Sequence, residues 1–189
     1  MLFIKIKPLL ILYKSIFQLY MKIYDCFMFF DEEMLLDLRL NIMDKYVEKF
    51  VITEATYMHS GKPKKLVFNI NNFKKFKDKI IYNVIDEHPN NIDTINESDN
   101  ADTKGSKLIN NSVKRENYQR EMAIKSIDKA SNDDIILIND IDEIPNLNKI
   151  NFSNINKKII IFKQKTKNIL YGGQILFFLE RNIMISISC

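Results

Sequence analysis

The chain has 189 residues with 28 Lys+Arg against 24 Asp+Glu, a net charge of +4 and 46% hydrophobic residues, the profile of a globular domain long enough to bury a core. Two cysteines, Cys26 and Cys189, make neither a disulfide framework nor a four-ligand zinc site, and four glycines leave no G-x-G-x-x-G loop. Gly61-Lys62-Pro63 lacks the spacing and hydroxyl of a P-loop, and with only His59 and His88 there is no H-E-x-x-H helix.

Charge divides the chain unevenly. Residues 1–20 carry +3 and residues 151–189 carry +5, which leaves −4 on 21–150. A nucleic-acid binder concentrates basic residues on its folded body, so nucleic acid is not expected as a partner. Lys74, Lys75, Lys77 and Lys79 read as a solvated face. In the N-terminal extension 1–20, Lys5, Lys7 and Lys14 interrupt the apolar residues well short of the roughly 20 needed to span a bilayer. It has no small-residue cleavage site. A membrane-surface segment, or a start at Met21, both fit it; the expected location is cytoplasmic or peripheral at a membrane.

Lys22–Phe30 is an aromatic-rich apolar run and predicts a buried strand carrying Cys26 as a small hydrophobe. Asp31-Glu32-Glu33 suits a helix first turn, and Met34, Leu35, Leu38 and Ile42 recur at helical spacing. Lys49–Ala55 predicts a second strand and His59–Lys65 a Gly/Pro loop. Asn72–Lys79 predicts a short basic helix and Lys79–Ile85 a third strand. His88–Asn111 is rich in Asn, Asp and Ser without periodicity and predicts a long loop. Val113–Ala130 predicts a helix, and Asp134–Asn139 a fourth, central strand. The alternation of strands and helices predicts an α/β domain over 21–150 with a mostly parallel sheet flanked by helices.

Asn139-Asp140-Ile141-Asp142-Glu143-Ile144-Pro145 follows the fourth strand directly. In an extended segment Asp140 and Asp142 would face the same way, and two carboxylates so placed repel unless a cation joins them. Oxygen donors suit Mg²⁺ or Mn²⁺, often shared with substrate phosphates. The carboxyl ends of strands are where open α/β sheets bind ligands. The plainer alternative is a solvated acidic loop. Asp25 or Asp31 joining the same ion would instead give a Mg²⁺-dependent phosphoryl-transfer enzyme.

Three blocks carry a resemblance: YDCFMFFDEEMLLDLRLNIMDKYVEKFVITEATYMHSGKPKKLVF (Tyr24–Phe68), RENYQREMAI (Arg115–Ile124) and DDIILINDIDEIP (Asp133–Pro145). Together they resemble glycosyltransferase family 17, whose members include the enzyme that adds bisecting N-acetylglucosamine to mannosyl glycoproteins. The resemblance implies a GT-A-like nucleotide-diphospho-sugar transferase fold and inverting transfer from a UDP-GlcNAc-like donor to a glycan acceptor. It implies Asp140 and Asp142 as holders of a Mn or Mg ion, with Glu54, Lys62, Arg115 and Arg120 on the donor side. For Arg120, an i,i+4 pair with Glu116 is the structural alternative, and bidentate phosphate contact the functional one. His88 opens the long loop near the expected donor.

The acceptor base is expected after the D-x-D, in 151–189, where the sequence departs from the family pattern. A truncated or frame-shifted end accounts for that departure, and the apolar strands there would be exposed edges prone to association. A truncated, non-catalytic remnant that binds nucleotide sugar is the second reading.

Overall fold

A computed structural model describes residues 21–150 and Phe152, and beyond them the backbone of four short strands. The N-terminal extension 1–20 and Cys189 lie outside the described residues.

The central sheet begins with β1 (Ile23–Met28), β2 (Lys49–Ala55), β3 (Ile80–Ile85) and β4 (Ile135–Asn139). All four are parallel, in the order β3-β2-β1-β4. They form where the sequence offers short apolar runs between polar residues, and both sheet faces are covered, as parallel sheets require. Side chains alternate accordingly. Ile23, Phe27, Phe50, Ile52, Ile135 and Leu137 join Leu36, Leu40, Met43, Phe73 and Phe76 in one core. Tyr24, Cys26, Val51, Ile136 and Ile138 join Ala123 on the opposite face. Cys26 is fully buried, as expected of a small hydrophobe, and burial pushes its thiol pKa well up.

The first face is covered by helix α1 (Glu33–Met43) and a 3-10 segment (Ile70–Lys79); the second by α2 (Ala101–Lys125). Three expectations shift here. In α1 the buried residues are Leu36, Arg39, Leu40 and Met43, whereas Met34, Leu38 and Ile42 are exposed. The predicted basic helix is a 3-10 segment kinked at Phe73, placing Phe73 and Phe76 inward three residues apart. The predicted loop His88–Asn111 is half helix: α2 starts at Ala101, capped by the Asn100 side chain accepting from Thr103 N–H at 2.8 Å. Lys107–Asp99 and Lys114–Asp93 ion pairs, with Asn111 bonded to the Asp93 backbone, tie that polar helical half to the preceding loop.

Beyond β4, the strands β5 (Ile159–Lys163) and β8 (Asn182–Ile187) extend the sheet antiparallel, in the order β4-β8-β5. The sheet is therefore mixed, with a parallel core. Asn182–Ile187 corrects the expectation of an exposed edge: it is paired on both sides, to β4 and to β5. Strands β6 (Ile169–Tyr171) and β7 (Gln174–Leu176) form a separate two-stranded ladder. Among the described residues no helix is long and apolar enough to cross a membrane.

Candidate active site

From β1 the chain runs through α1 to β2 and β3 on one side; from β3 it returns through α2 to β4 on the other. The strand order reverses between β1 and β4, and ligands of open α/β sheets bind at such a point. A cleft of about 1160 Å³ opens there. Its walls come from the residues after β1 (Phe29, Phe30), the loop after β2 (Tyr57, Lys64), the middle of α2 (Gln119, Arg120) and the loop after β4.

That last loop is the Asp140–Asp142 segment, and its shape differs from expectation. Instead of an extended strand with alternating side chains, residues 140–144 form a turn. The Glu143 N–H bonds to the Asp140 carbonyl at 3.0 Å, and the Ile144 N–H to the Asp142 carbonyl at 3.2 Å. Asp142 is exposed while Glu143 is buried, its Oε2 accepting from the Asp140 N–H at 3.2 Å. All three acids line the cleft.

A buried cation fixes the turn from beneath. Arg39 of α1 is fully buried against Asp25 of β1, Nε donating to Oδ2 at 2.9 Å and NH2 to Oδ1 at 2.7 Å. Its NH1 donates to the carbonyls of Asp140 (2.9 Å), Ile141 (3.1 Å) and Glu143 (3.1 Å). With the Asn139 amide oxygen turned toward it, NH2 donates there as well at 2.8 Å. The guanidinium lies 4.6 Å from the Phe27 ring centre. Asp25 is therefore a structural counter-charge, wholly enclosed, which corrects the phosphoryl-transfer reading: its carboxylate is committed to Arg39. Asp31, the other residue that reading needs, is exposed and does not line the cleft.

On the opposite wall, Arg120 makes the expected pair with Glu116 one turn earlier, and in addition donates NH2 to Asp140 Oδ1 at 2.7 Å. Burial alone would lower the Arg120 pKa; the Glu116 and Asp140 carboxylates outweigh it and hold it above its ordinary value. The helix pair is thus present, and the same side chain stands in the cleft wall.

Glu54, at the end of β2, is fully buried and does not line the cleft. Its carboxylate accepts from Lys64 Nζ, the Tyr82 hydroxyl (2.7 Å) and the N–H groups of Val67 (2.8 Å) and Phe68 (3.1 Å). Burial would raise its pKa, but these four donors together hold it below the usual carboxylate value. Glu54 therefore anchors the loop that carries Lys64 into the cleft. Lys62 is exposed and outside the cleft wall; Lys64, two residues on, takes the cleft position.

Arg115 also stands away from the cleft wall. Its Nε donates to His88 Nδ1 at 3.4 Å and its NH1 to the His59 carbonyl at 3.0 Å. His88 stacks on Tyr57 at 4.0 Å between ring centres. Gly61 turns beneath the guanidinium with φ +87°, where an added Cβ would lie 2.7 Å from Arg115 NH2. Arg115 thus clamps the loop after β2 to α2. Arg39, Lys64, Gln119 and Glu143 are the site residues that sequence reasoning missed. All four sit inside the blocks quoted above, and all but Arg39 lie within two residues of a residue picked out for chemistry.

No group of three or more His, Cys, Asp and Glu poised for a metal occurs among the described residues. Asp140 and Asp142 both line the cleft, two carboxylates rather than a larger cluster.

The model of glycosyltransferase family 17 matches residues 13–177. The chain belongs to glycosyltransferase family 17. The match begins inside the N-terminal extension and runs past Phe162, so the family likeness reaches further toward the C-terminus than the three quoted blocks. The GT-A-like α/β fold expected of it agrees with the parallel sheet and its flanking helices, and the family assigns sugar donors and acceptors as the substrates. Comparison with curated proteins and with solved structures gave no significant match.

Proposed function

We propose that this family 17 chain is a metal-dependent, inverting transferase that moves N-acetylglucosamine from a UDP donor to a glycan acceptor. The observation that carries the reading is the cleft at the β1/β4 reversal, with the Asp140–Asp142 turn on one wall and Arg120 on the other. A nucleotide sugar lying there would place its diphosphate beside the Arg120–Asp140 pair. Asp140 and Asp142 would hold a Mn or Mg ion, which when bound neutralises charge on a UDP leaving group.

Around it, this chain's own residues supply the positioning. Arg39 holds the carbonyls of the turn in place, so the two carboxylates are presented on a fixed backbone. Arg120 and Lys64 line the same cleft, and either cation suits the developing charge of a departing diphosphate. Each is held by a carboxylate, Arg120 by Asp140 and Lys64 by Glu54, so neither must be ordered at the moment of reaction.

The test is calorimetric titration of UDP-GlcNAc into the purified chain with and without Mn²⁺. Mn²⁺-dependent binding that weakens at least about tenfold in Asp142→Ala is the expected outcome, on the scale of one charge-assisted contact. A folded chain that binds no UDP-GlcNAc refutes the reading. Metal-dependent binding without transfer to any glycan acceptor identifies a non-catalytic remnant.

A further inference from the structure

Two buried polar side-chain atoms have no hydrogen-bond partner among the described residues, Thr53 Oγ1 and Gln119 Nε2. Thr53 lies within β2 and does not line the cleft; Gln119 does. It is 4% exposed and belongs to the strip of α2 that faces the cleft, with Glu116 one turn before it and Arg120 beside it. The strand ends lining that cleft are Met28, Ala55, Ile138 and Asn139, three of them apolar.

A primary amide carries two donors, and native interiors leave few such groups unpaired. At this position a leucine or methionine would fill comparable space without stranding a donor. A local rule broken at a cleft wall, with no gain visible in the free protein, is the pattern of a functional residue. The charged groups beside it are already engaged, Arg120 with Glu116 and Asp140, Lys64 with Glu54. What Gln119 adds is an uncharged donor, the type of group that fixes orientation and selects among ligands.

We propose that on binding the Gln119 amide, whose Nε2 is sealed from solvent in the free protein, turns into the cleft and donates a hydrogen bond from Nε2 to an uncharged oxygen of the nucleotide sugar, a carbonyl or a hydroxyl. Gln119 thereby selects the donor rather than gripping its diphosphate. The inference rests on the nucleotide-sugar reading above and adds a specificity residue to it. Two parts of such a ligand carry the required oxygen, the nucleobase and the sugar.

Gln119→Met keeps the length of the side chain and removes the amide; Gln119→Glu keeps the shape and replaces the donor by an acceptor. Calorimetric titration of the full chain in Mn²⁺ uses UDP, UDP-GlcNAc and inorganic pyrophosphate as probes, with melting of each ligand-free protein alongside. Gln119→Met is expected to melt no lower than wild type, because an unpaired donor is gone, and to bind about tenfold more weakly. Gln119→Glu is expected to lose more. Loss shared by UDP and UDP-GlcNAc places the oxygen on the nucleoside; loss confined to UDP-GlcNAc places it on the sugar. Either supports the assignment. Unchanged binding of both nucleotides by Gln119→Met, or an equal loss for pyrophosphate, overturns it. A wild-type chain that binds neither nucleotide refutes the transferase reading and this inference together, whereas unchanged binding in the variant refutes this inference alone.

Discussion

Replacing Arg39 by methionine tests whether the acidic turn is positioned from within the core. Arg39 and Asp25 are both at 0% exposure, so the substitution leaves a carboxylate enclosed without its counter-charge. Breaking a buried pair on one side costs about 3–5 kcal/mol. Three carbonyls, those of Asp140, Ile141 and Glu143, also lose a donor. Each would cost about 1–3 kcal/mol if it stayed dry. The turn borders an open cleft, so water replaces part of that loss and the low end applies. A total of at least ~4 kcal/mol is expected, against the roughly 5–15 kcal/mol that holds a typical domain together.

The discriminating variant is the double substitution Asp25→Leu with Arg39→Met. It removes the stranded charge and should recover about 2 kcal/mol or more relative to Arg39→Met alone, because an apolar pair can replace a buried ionic one at little cost. It does not restore a donor to the three carbonyls. Urea unfolding at constant slope reads the stability, and Mn²⁺-dependent UDP-GlcNAc titration reads the turn. The expected result is stability partly regained and binding still lost. A double variant that binds as tightly as wild type, or an Arg39→Met chain destabilised by less than about 1 kcal/mol, refutes the claim that Arg39 shapes the site.

Gly61→Ala is expected to cost about 1–2 kcal/mol for a side chain at φ +87°, and to displace the Arg115 guanidinium from the His59 carbonyl; thermal melting measures it. Glu54→Gln should cost about 3 kcal/mol near neutral pH, since Lys64 would keep its charge without a counter-ion. Because the Glu54 pKa is lowered by folding, its contribution is complete above the ordinary carboxylate pKa and disappears as pH falls through the lowered one. The gap in melting temperature between wild type and Glu54→Gln should therefore be full at pH 6 and narrow at acid pH; a gap that widens toward acid pH refutes the assignment. Arg120→Met should cost little stability, about 1 kcal/mol or less, because its pairs are part-exposed, yet weaken UDP-GlcNAc binding at least about tenfold by calorimetry.

The four parallel strands were legible because each is a short apolar run ending in polar residues, a pattern that packing on both faces enforces. Helix α1 had the right period and the wrong phase. Its core stripe passes through Arg39, and a charge at a buried position breaks the apolar pattern, which shifted the apparent face to Met34, Leu38 and Ile42. The first half of α2 was hidden for a related reason: most of its residues are exposed and it is held by ion pairs and the Asn111 contact with Asp93, so it has no apolar stripe to betray it. The position of Asp140 and Asp142 after a central strand could be read locally. Their arrangement in a turn could not, since the donors that set it come from Arg39, about a hundred residues earlier in the chain.

The turn after β4 is thus gripped from both faces of the sheet by two arginines that act on different atoms. From α1, Arg39 takes backbone carbonyls, and its own charge is cancelled by Asp25 in a site closed to water. Being enclosed, it is committed to the carbonyls of Asp140, Ile141 and Glu143. From α2, Arg120 takes a side-chain carboxylate at a part-exposed position, with side-chain exposures of 24% and 29% for the pair. A part-exposed ion pair is worth less than a buried one, so on the proposed reading a diphosphate entering the cleft would share or replace Asp140 on that guanidinium at modest cost. A rigid backbone under exchangeable carboxylate contacts is the arrangement that lets acidic side chains turn from a protein cation to a ligand without moving the fold. On that reading the fully buried pair lies behind the turn and the part-exposed one in front of it.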